Sequence, residues 1–478
     1  MFSASKILDA DFQKNPREYF WKGITENYAV DEAEYLQELI PLAQSDAEEY
    51  RDVTETATDL IKKVRAQDDS IHMIDALLQE YSLDTQEGIL LMCLAEALMR
   101  IPDKYTADAL IHDKMSDADW KKHVGRSEST LVNASTWGLM LTGRVVKMDK
   151  RLDGSPSNIW KRLVKRSGEP VIRSAMYQAM AIMGKQFVLG RDINEALSNA
   201  RSYRDQGYTY SFDMLGEAAL TTEDAGRYLA DYRNAIEAVG NDPYPESKAP
   251  RPSISIKLSA LHPRYEVAQE KRVLTELHDT VVELLRFARE KNVSITIDAE
   301  EMDRLELSLL LFEKVFKHSV VEGWDGFGLV IQAYSKRALP VLCWLAKLGK
   351  EQGREIPIRL VKGAYWDTEI KICQQLGLES YPVFTRKEAT DTSYLACLRF
   401  LLSDFTKGAI YPQLASHNAH TVASVLAMAR NKGRKIEFQR LHGMGDALYN
   451  TVLNQHDIPV RIYAPVGAHK DLLPYLVR

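Results

Sequence analysis

Cysteine is scarce in this chain of 478 residues, which has four: Cys93, Cys343, Cys373 and Cys397. They lie far apart with no C-x-x-C pair, which argues against a disulfide framework or a thiolate metal site and fits a reducing compartment. Long apolar runs are also missing. The longest, over residues 88–99, is interrupted by Glu96 and is too short to cross a bilayer as a helix. At the N-terminus Asp9, Asp11 and Lys14 break the apolar run that a secretory signal needs. The expectation is a cytoplasmic protein, for which peripheral attachment to the inner face of the cell membrane stays open. An excess of charge of one sign is lacking too, since 61 basic residues face 67 acidic ones for a net charge of −6. So even a mixture makes no polyanion-binding surface, and no nucleic acid partner is expected. Low-complexity sequence and repeats of fixed period are absent.

What is present is an ordinary globular composition, 45% apolar and 27% charged, in a chain too long for one small domain. From about residue 31 to 205 apolar positions recur at helical spacing, as in Leu90, Leu91, Leu94, Ala97 and Leu98. Asp84 is placed to cap the helix bearing that stripe, and Ser116 with Asp119 has capping-box spacing. The stripe reads as a bundle core in preference to a cofactor groove. Lys161, Arg162, Lys165 and Arg166 read as a solvated helix face.

Beyond residue 205 the pattern changes. Eight short strand-like runs, at 208–213, 253–259, 293–300, 327–334, 357–363, 413–418, 436–441 and 460–463, alternate with helix-like stretches. This spacing predicts an α/β fold, a (β/α)8 TIM-like barrel preceded by an all-helical N-terminal domain. The expected domains are an arm with helices over 1–80, a helical domain over 81–205 and the barrel over 206–478. Strand interiors are expected to be apolar on both sides, with polar residues gathered at the C-terminal ends: Asp213, Lys257, Asp298, Gln332, Lys362, His417, Gln439 and Tyr463.

Several segments carry candidate chemistry. Arg359 to Asp367 reads R-L-V-K-G-A-Y-W-D and joins a buried strand to a glycine loop that a flat ligand could approach closely, or to a tight turn gap-filled by Tyr365 and Trp366. Residues 384–394 place hydroxyls and cations before a helix start, suited to phosphate oxygens or to plain capping. His417 and His420 raise a metal site, with Asp298 and His442 as further ligands, but no H-x-H lies on the first strand and metal is the minority reading. Lys257 ends a strand and needs an anion: a ligand carboxylate, a neighbouring acid such as Asp298 or Glu300, or use as a Schiff base.

Taken together, S-I-K-L-S-A-L-H-P-R-Y, L-V-K-G-A-Y-W-D, F-T-R-K-E-A-T-D-T-S-Y, A-S-H-N-A-H-T and R-I-Y-A-P-V-G, in that order, resemble the proline dehydrogenase domain of bacterial bifunctional proline utilization A. D-T-Q-E-G and G-E-P-V-I-R, at 84–88 and 168–173, extend the resemblance to roughly residues 80–478. It implies an FAD enzyme that oxidises L-proline to pyrroline-5-carboxylate by hydride transfer and passes electrons to a quinone. The flavin contacts it implies are Gln332, Arg359, Val361, Lys362, Gly363, Ala364 and Trp366, with Arg359 beside the hydride-accepting nitrogen. Thr385, Arg386, Thr390, His417 and Asn418 would line the rest of the dinucleotide, leaving no metal. On the substrate side Lys257 would pair with the proline carboxylate, Asp298 would order the polar cluster, and Tyr365, Leu441 and Tyr463 would enclose the ring. Arg478 matches the first of two arginines that clamp the carboxylate. Ending there, the chain is expected to be a truncated form that lacks the aldehyde dehydrogenase half, a pyrroline-5-carboxylate/glutamate semialdehyde dehydrogenase, and to bind FAD or proline more weakly than a longer one. The basic DNA-binding segment that opens some family members finds no counterpart in residues 1–26.

Two readings of other classes compete. Barrels of the lysine-dependent aldolase class place a Schiff-base lysine on a strand, and Lys257 or Lys362 could fill that role. The other is a non-catalytic interaction module built on the helical region, with the barrel as its scaffold.

Overall fold

The computed structural model describes residues 2–66, 106, 187–430 and 432–467. Most of the expected 81–205 domain, with its Asp84 and Ser116 caps and its charged helix face, lies outside these residues, as does Arg478. Apart from residues 106, 187 and 188, the described residues belong to one compact unit with bounds 1–66 and 189–467.

At its centre eight parallel strands close into a barrel in sequence order. They are β1 (Thr209–Met214), β2 (Ser253–Ile256), β3 (Ile295–Ile297), β4 (Phe327–Gln332), β5 (Ile356–Val361), β6 (Ile410–Ala415), β7 (Glu437–Leu441) and β8 (Val460–Val466). Closure rests on β1 and β8, where Thr209 to Met214 pair one for one with Arg461 to Val466. Each of the eight expected runs contains or overlaps one strand. β3 is shorter than its run and β6 begins three residues before it.

The helices follow from caps and periodicity. α1 (Arg17–Glu26), α2 (Glu32–Ala43) and α3 (Ala47–Ala66) precede the barrel, and α4 (Ile193–Arg204) leads into β1. α5 (Thr222–Gly240), α6 (His278–Glu290), α7 (Leu305–Phe316) and α8 (Ala338–Gln352) follow β1 to β4. α9 (Trp366–Leu376) and α10 (Lys387–Leu401) both lie between β5 and β6, and α11 (Ala419–Ala429) and α12 (Asp446–Gln455) follow β6 and β7. α5 starts with a reciprocal capping box between Thr221 and Asp224, and Asn418 caps α11 by accepting the Thr421 N–H. α8 and α9 stop at Gly353 and Gly377, whose left-handed backbone, φ +61° and +64°, suits glycine. No helix among the described residues is long and apolar enough to cross a membrane.

α8 is buried from Ala338 to Ala346, with no solvent face over that stretch, because α1 covers its outer side and sets Trp21 against Trp344 at 5.4 Å. α2 lies along α10, and α3 along α11 and α12. Residues 2–66 therefore form an arm packed along α8, α10, α11 and α12, tied down by Arg17 to Glu313 and Glu351, Lys347 to the Gln13 carbonyl and Arg399 to Glu49.

The barrel interior corrects one expectation. Strand interiors are not apolar on both sides: β1 alternates Thr-Tyr-Ser-Phe-Asp and β2 Ser-Ile-Ser-Ile, and Ser211 and Ser255 bond to each other between these neighbouring strands. Apolar Tyr210, Phe212, Ile254 and Ile256 are fully buried alongside them. Near the N-terminal ends of the strands Glu437 accepts from Arg461 Nε at 2.7 Å, Gln413 Nε2 at 3.0 Å and Gln439 Nε2 at 2.7 Å. Gln439, expected at the rim, thus belongs to this internal plug.

Candidate functional site

Above the plug the polar layers converge on four buried charges. The Lys257 ammonium lies 2.7 Å from Asp213 Oδ1 and 3.3 Å from Asp298 Oδ2. Arg359 donates through Nη1 to Asp298 Oδ1 at 2.9 Å, and through Nη2 to Ser211 and Ser255 hydroxyls, each at 3.1 Å. Tyr463 donates its hydroxyl to Asp298 Oδ2 at 2.7 Å, and the Arg359 guanidinium stacks 5.0 Å from its ring centre. Two acids meet two bases, so the cluster is neutral as a set and each charge has an opposite partner.

Electrostatics keeps Lys257 charged. Burial alone would lower the Lys257 pKa, but Asp213, Tyr463 and Asp298 outweigh it and hold the lysine well above its usual range, as an ammonium. Burial, with Asp298 nearby, raises Asp213 despite Lys257, and burial next to both aspartates raises the Tyr463 phenol well above its ordinary value. Of the three ammonium N–H donors two meet carboxylates, which leaves one for another acceptor. The Arg359 Nε–H is buried and meets no acceptor among the described residues.

The rim beside this cluster is open. Gly363, Ala364 and Trp366 are exposed, the last at 42%, while Tyr365 between them is buried. The Gln332 amide ties the rim together by accepting the Ala364 N–H and donating to the Glu300 carbonyl, both at 3.0 Å. Gly363 has φ +147°, and a Cβ there would fall 2.4 Å from the Tyr334 ring, so no other residue fits. Lys362 turns outward to Asp391 at 2.5 Å, which Lys387 also contacts.

The remaining candidates occupy the adjoining edge. His417 accepts the Leu441 N–H through Nε2 at 3.1 Å, which leaves Nδ1 as the protonated nitrogen. Burial, with Arg440 close by, lowers its pKa to about 4. Asn418 uses its side-chain oxygen as the α11 cap, Thr390 is buried on α10, and Arg386 is the exposed residue before α10. Both donors of Thr385, its N–H and its hydroxyl, meet Glu32 of the arm at 3.0 to 3.2 Å. The structure thus brings Lys257, Asp298, Arg359 and Tyr463 into direct contact, with Tyr365 and Leu441 at the same rim. Asp213, already marked as a strand-end residue, completes the cluster with Ser211 and Ser255, for which the alternation on β1 and β2 was the signal. Glu32 had no local signal, since its partner lies 353 residues away.

The open rim and the orphaned Arg359 Nε–H suit a flat ligand with acceptor atoms. Against known families, residues 196–478 match the proline dehydrogenase model, 22–65 the N-terminal domain model of proline utilization A proline dehydrogenase, and 73–187 a model described as the DNA-binding domain of proline dehydrogenase. The chain is 47% identical to the bifunctional protein PutA of Escherichia coli over 99% of its own length and 36% of that protein's. For the Rhizobium meliloti protein of the same name the values are 46%, 98% and 38%. A crystal structure of Bradyrhizobium japonicum proline utilization A superposes with a TM-score of 0.69 at 44% identity, covering 94% of this chain and 44% of that one. The chain thus spans a little over a third of the length of these curated relatives.

Proposed function

This chain belongs to the proline dehydrogenase family, and from that premise we propose that it oxidises L-proline to pyrroline-5-carboxylate with FAD as cofactor, the first step of proline breakdown. Electrons would leave to a quinone, at the inner face of the cell membrane. The observation that carries this reading is the neutral four-charge cluster beneath an open rim, with one Lys257 N–H and the Arg359 Nε–H left without an acceptor among the described residues.

A bound flavin supplies the acceptor for the hydride that leaves the carbon beside the ring nitrogen. The chain's own task is orientation. Lys257 offers its remaining N–H to the substrate carboxylate, and Asp298 keeps Lys257, Arg359 and Tyr463 in register. Tyr365, Leu441 and Tyr463 wall the ring. Arg359 presents a fixed cation where negative charge collects on reduction. Gln332, Val361, Gly363, Ala364 and Trp366 would hold the flavin ring system, with Lys362 beside them, and Arg386, Thr390, His417 and Asn418 the rest of the dinucleotide next to Thr385.

The Schiff-base reading requires a neutral amine, whereas Lys257 is held as an ammonium and Lys362 is paired with Asp391. A mere scaffold has no need to bury four charges, which costs free energy that an apolar core would not. The test is an absorption spectrum of the purified chain reconstituted with FAD and mixed anaerobically with L-proline. Bleaching of the flavin band is expected. An unchanged spectrum with saturating proline would refute the activity.

A further inference from the structure

The segment 380–385, just before α10, is gripped from two sides. Inside, Ser335 bridges Val383, the Phe384 N–H donates to the Tyr334 carbonyl at 2.8 Å, and the Phe384 carbonyl accepts the Trp366 indole N–H at 2.8 Å. The rim tryptophan therefore takes its setting from this segment. Outside, the arm grips Phe384 and Thr385. The Tyr35 ring stacks on Phe384 at 6.2 Å and 7°, and Glu32 takes both Thr385 donors. Lys336 beneath the segment donates to the Val30 carbonyl at 2.8 Å and to Ser380 at 3.2 Å.

We propose that Glu32, supported by Tyr35, is a positioning residue of the cofactor site: from the arm it fixes the stretch Thr385–Arg386 that faces the adenylate half of the dinucleotide. The inference rests on the flavin reading above. A carboxylate that accepts an N–H and an O–H from one residue sets both the backbone and the rotamer of that residue. It lies on a different chain segment from the site, so it can be altered without touching any group that faces the ligand. Because both Thr385 donors are occupied by Glu32, contact with the ligand falls to Arg386 and to the backbone that Glu32 holds.

The test compares Glu32→Ala with Glu34→Ala. Glu34 is exposed on the same helix, so its replacement removes the same charge without the contact. Both are titrated as apo chains with FAD and, separately, with FMN, which lacks the adenylate half, by flavin fluorescence. Glu32→Ala is expected to weaken FAD about tenfold, the loss of roughly one charge-assisted hydrogen bond, and to leave FMN affinity and the apo melting temperature at the Glu34→Ala values. Equal FAD affinity in the two variants would overturn the proposal. Tighter FAD binding would overturn it too, by making Glu32 a competitor for the site. A parallel loss for FAD and FMN with a lower melting temperature would reduce Glu32 to a stabilising contact and defeat it. Failure of the unaltered chain to bind FAD would instead bring down the flavin reading, and the proposal with it.

Discussion

Lys257 shows what one buried residue is asked to do. Its ammonium is the only cation shared by Asp213 and Asp298 among the described contacts, so its removal leaves two carboxylates facing each other. In Lys257→Met the stem volume survives while the charge does not. The apparent free energy of proline binding should weaken by about 2–5 kcal/mol, as for truncation of one partner in a buried charge pair. Steady-state KM for proline reads this effect, and flavin absorbance per chain checks that the cofactor stays. Tyr463→Phe removes the hydroxyl that donates to Asp298 and leaves the ring and every charge in place, so it should cost less, about 1.5–3 kcal/mol in the same assay. A Tyr463 effect larger than the Lys257 effect would contradict the assignment of Lys257 to the carboxylate. Glu437 is the contrasting case, buried in the plug and distant in role from the site. Glu437→Gln strands the Arg461 guanidinium, and about 3–5 kcal/mol of stability should be lost in urea unfolding with KM for proline unchanged.

At the scale of the element, the sequence announces some things and conceals others. The eight strands were legible because each is a short apolar-rich run between helical periods, and Lys257, Asp298 and Tyr463 because they stand at or near the ends of those runs, whereas Arg359, inside β5, was reached through the family resemblance. The polar lining was also present in the letters, as Thr-Tyr-Ser-Phe-Asp and Ser-Ile-Ser-Ile. A barrel assumed to be filled with apolar side chains hides that alternation, since outward Tyr210 and Ile254 look like core and inward Ser211 and Ser255 look incidental. The role of the arm was hidden for a different reason. α8, with Leu339, Leu342, Trp344 and Leu345 spread round its circumference, signals that something covers its outer face, but nothing in α8 names α1 as the cover. Contacts such as Thr385 with Glu32 and Arg399 with Glu49 join residues some 350 apart, beyond any local pattern. The weight of that cover can be measured. Leu39, 1% exposed on α2, should cost about 2–5 kcal/mol when changed to Ala, seen as a lower urea midpoint.

For the molecule as a whole, the buried titratable groups set opposite limits to the pH range in which it is most stable. His417 and His442 both have pKa values lowered from the ordinary 6.5 to about 4, by burial first and then by Arg440. In that interval the unfolded chain binds protons that the folded chain refuses, so their contribution is complete above about pH 6.5 and is lost as pH falls towards 4. Glu369 works in the other direction. Burial raises its carboxyl from the ordinary 4.5 to about 7, where it accepts the Met302 N–H at 2.7 Å and so ties α9 to the loop after β3. Its contribution is complete below pH 4.5 and is lost as pH rises through 7, because a charged carboxylate must then stay buried. Glu369→Gln keeps the acceptor and removes the titration. It should match the unaltered chain in melting temperature at pH 5 and exceed it at pH 8, whereas His417→Gln should narrow the fall in melting temperature between pH 6.5 and 4 without effect at pH 8. Differential scanning calorimetry across this range, with all three chains free of ligand, separates the two limbs. A Glu369→Gln chain that differed from the unaltered chain by the same amount at pH 5 and at pH 8 would mean that the carboxyl is ionised in the folded state throughout, and that its bond to Met302 is held by charge.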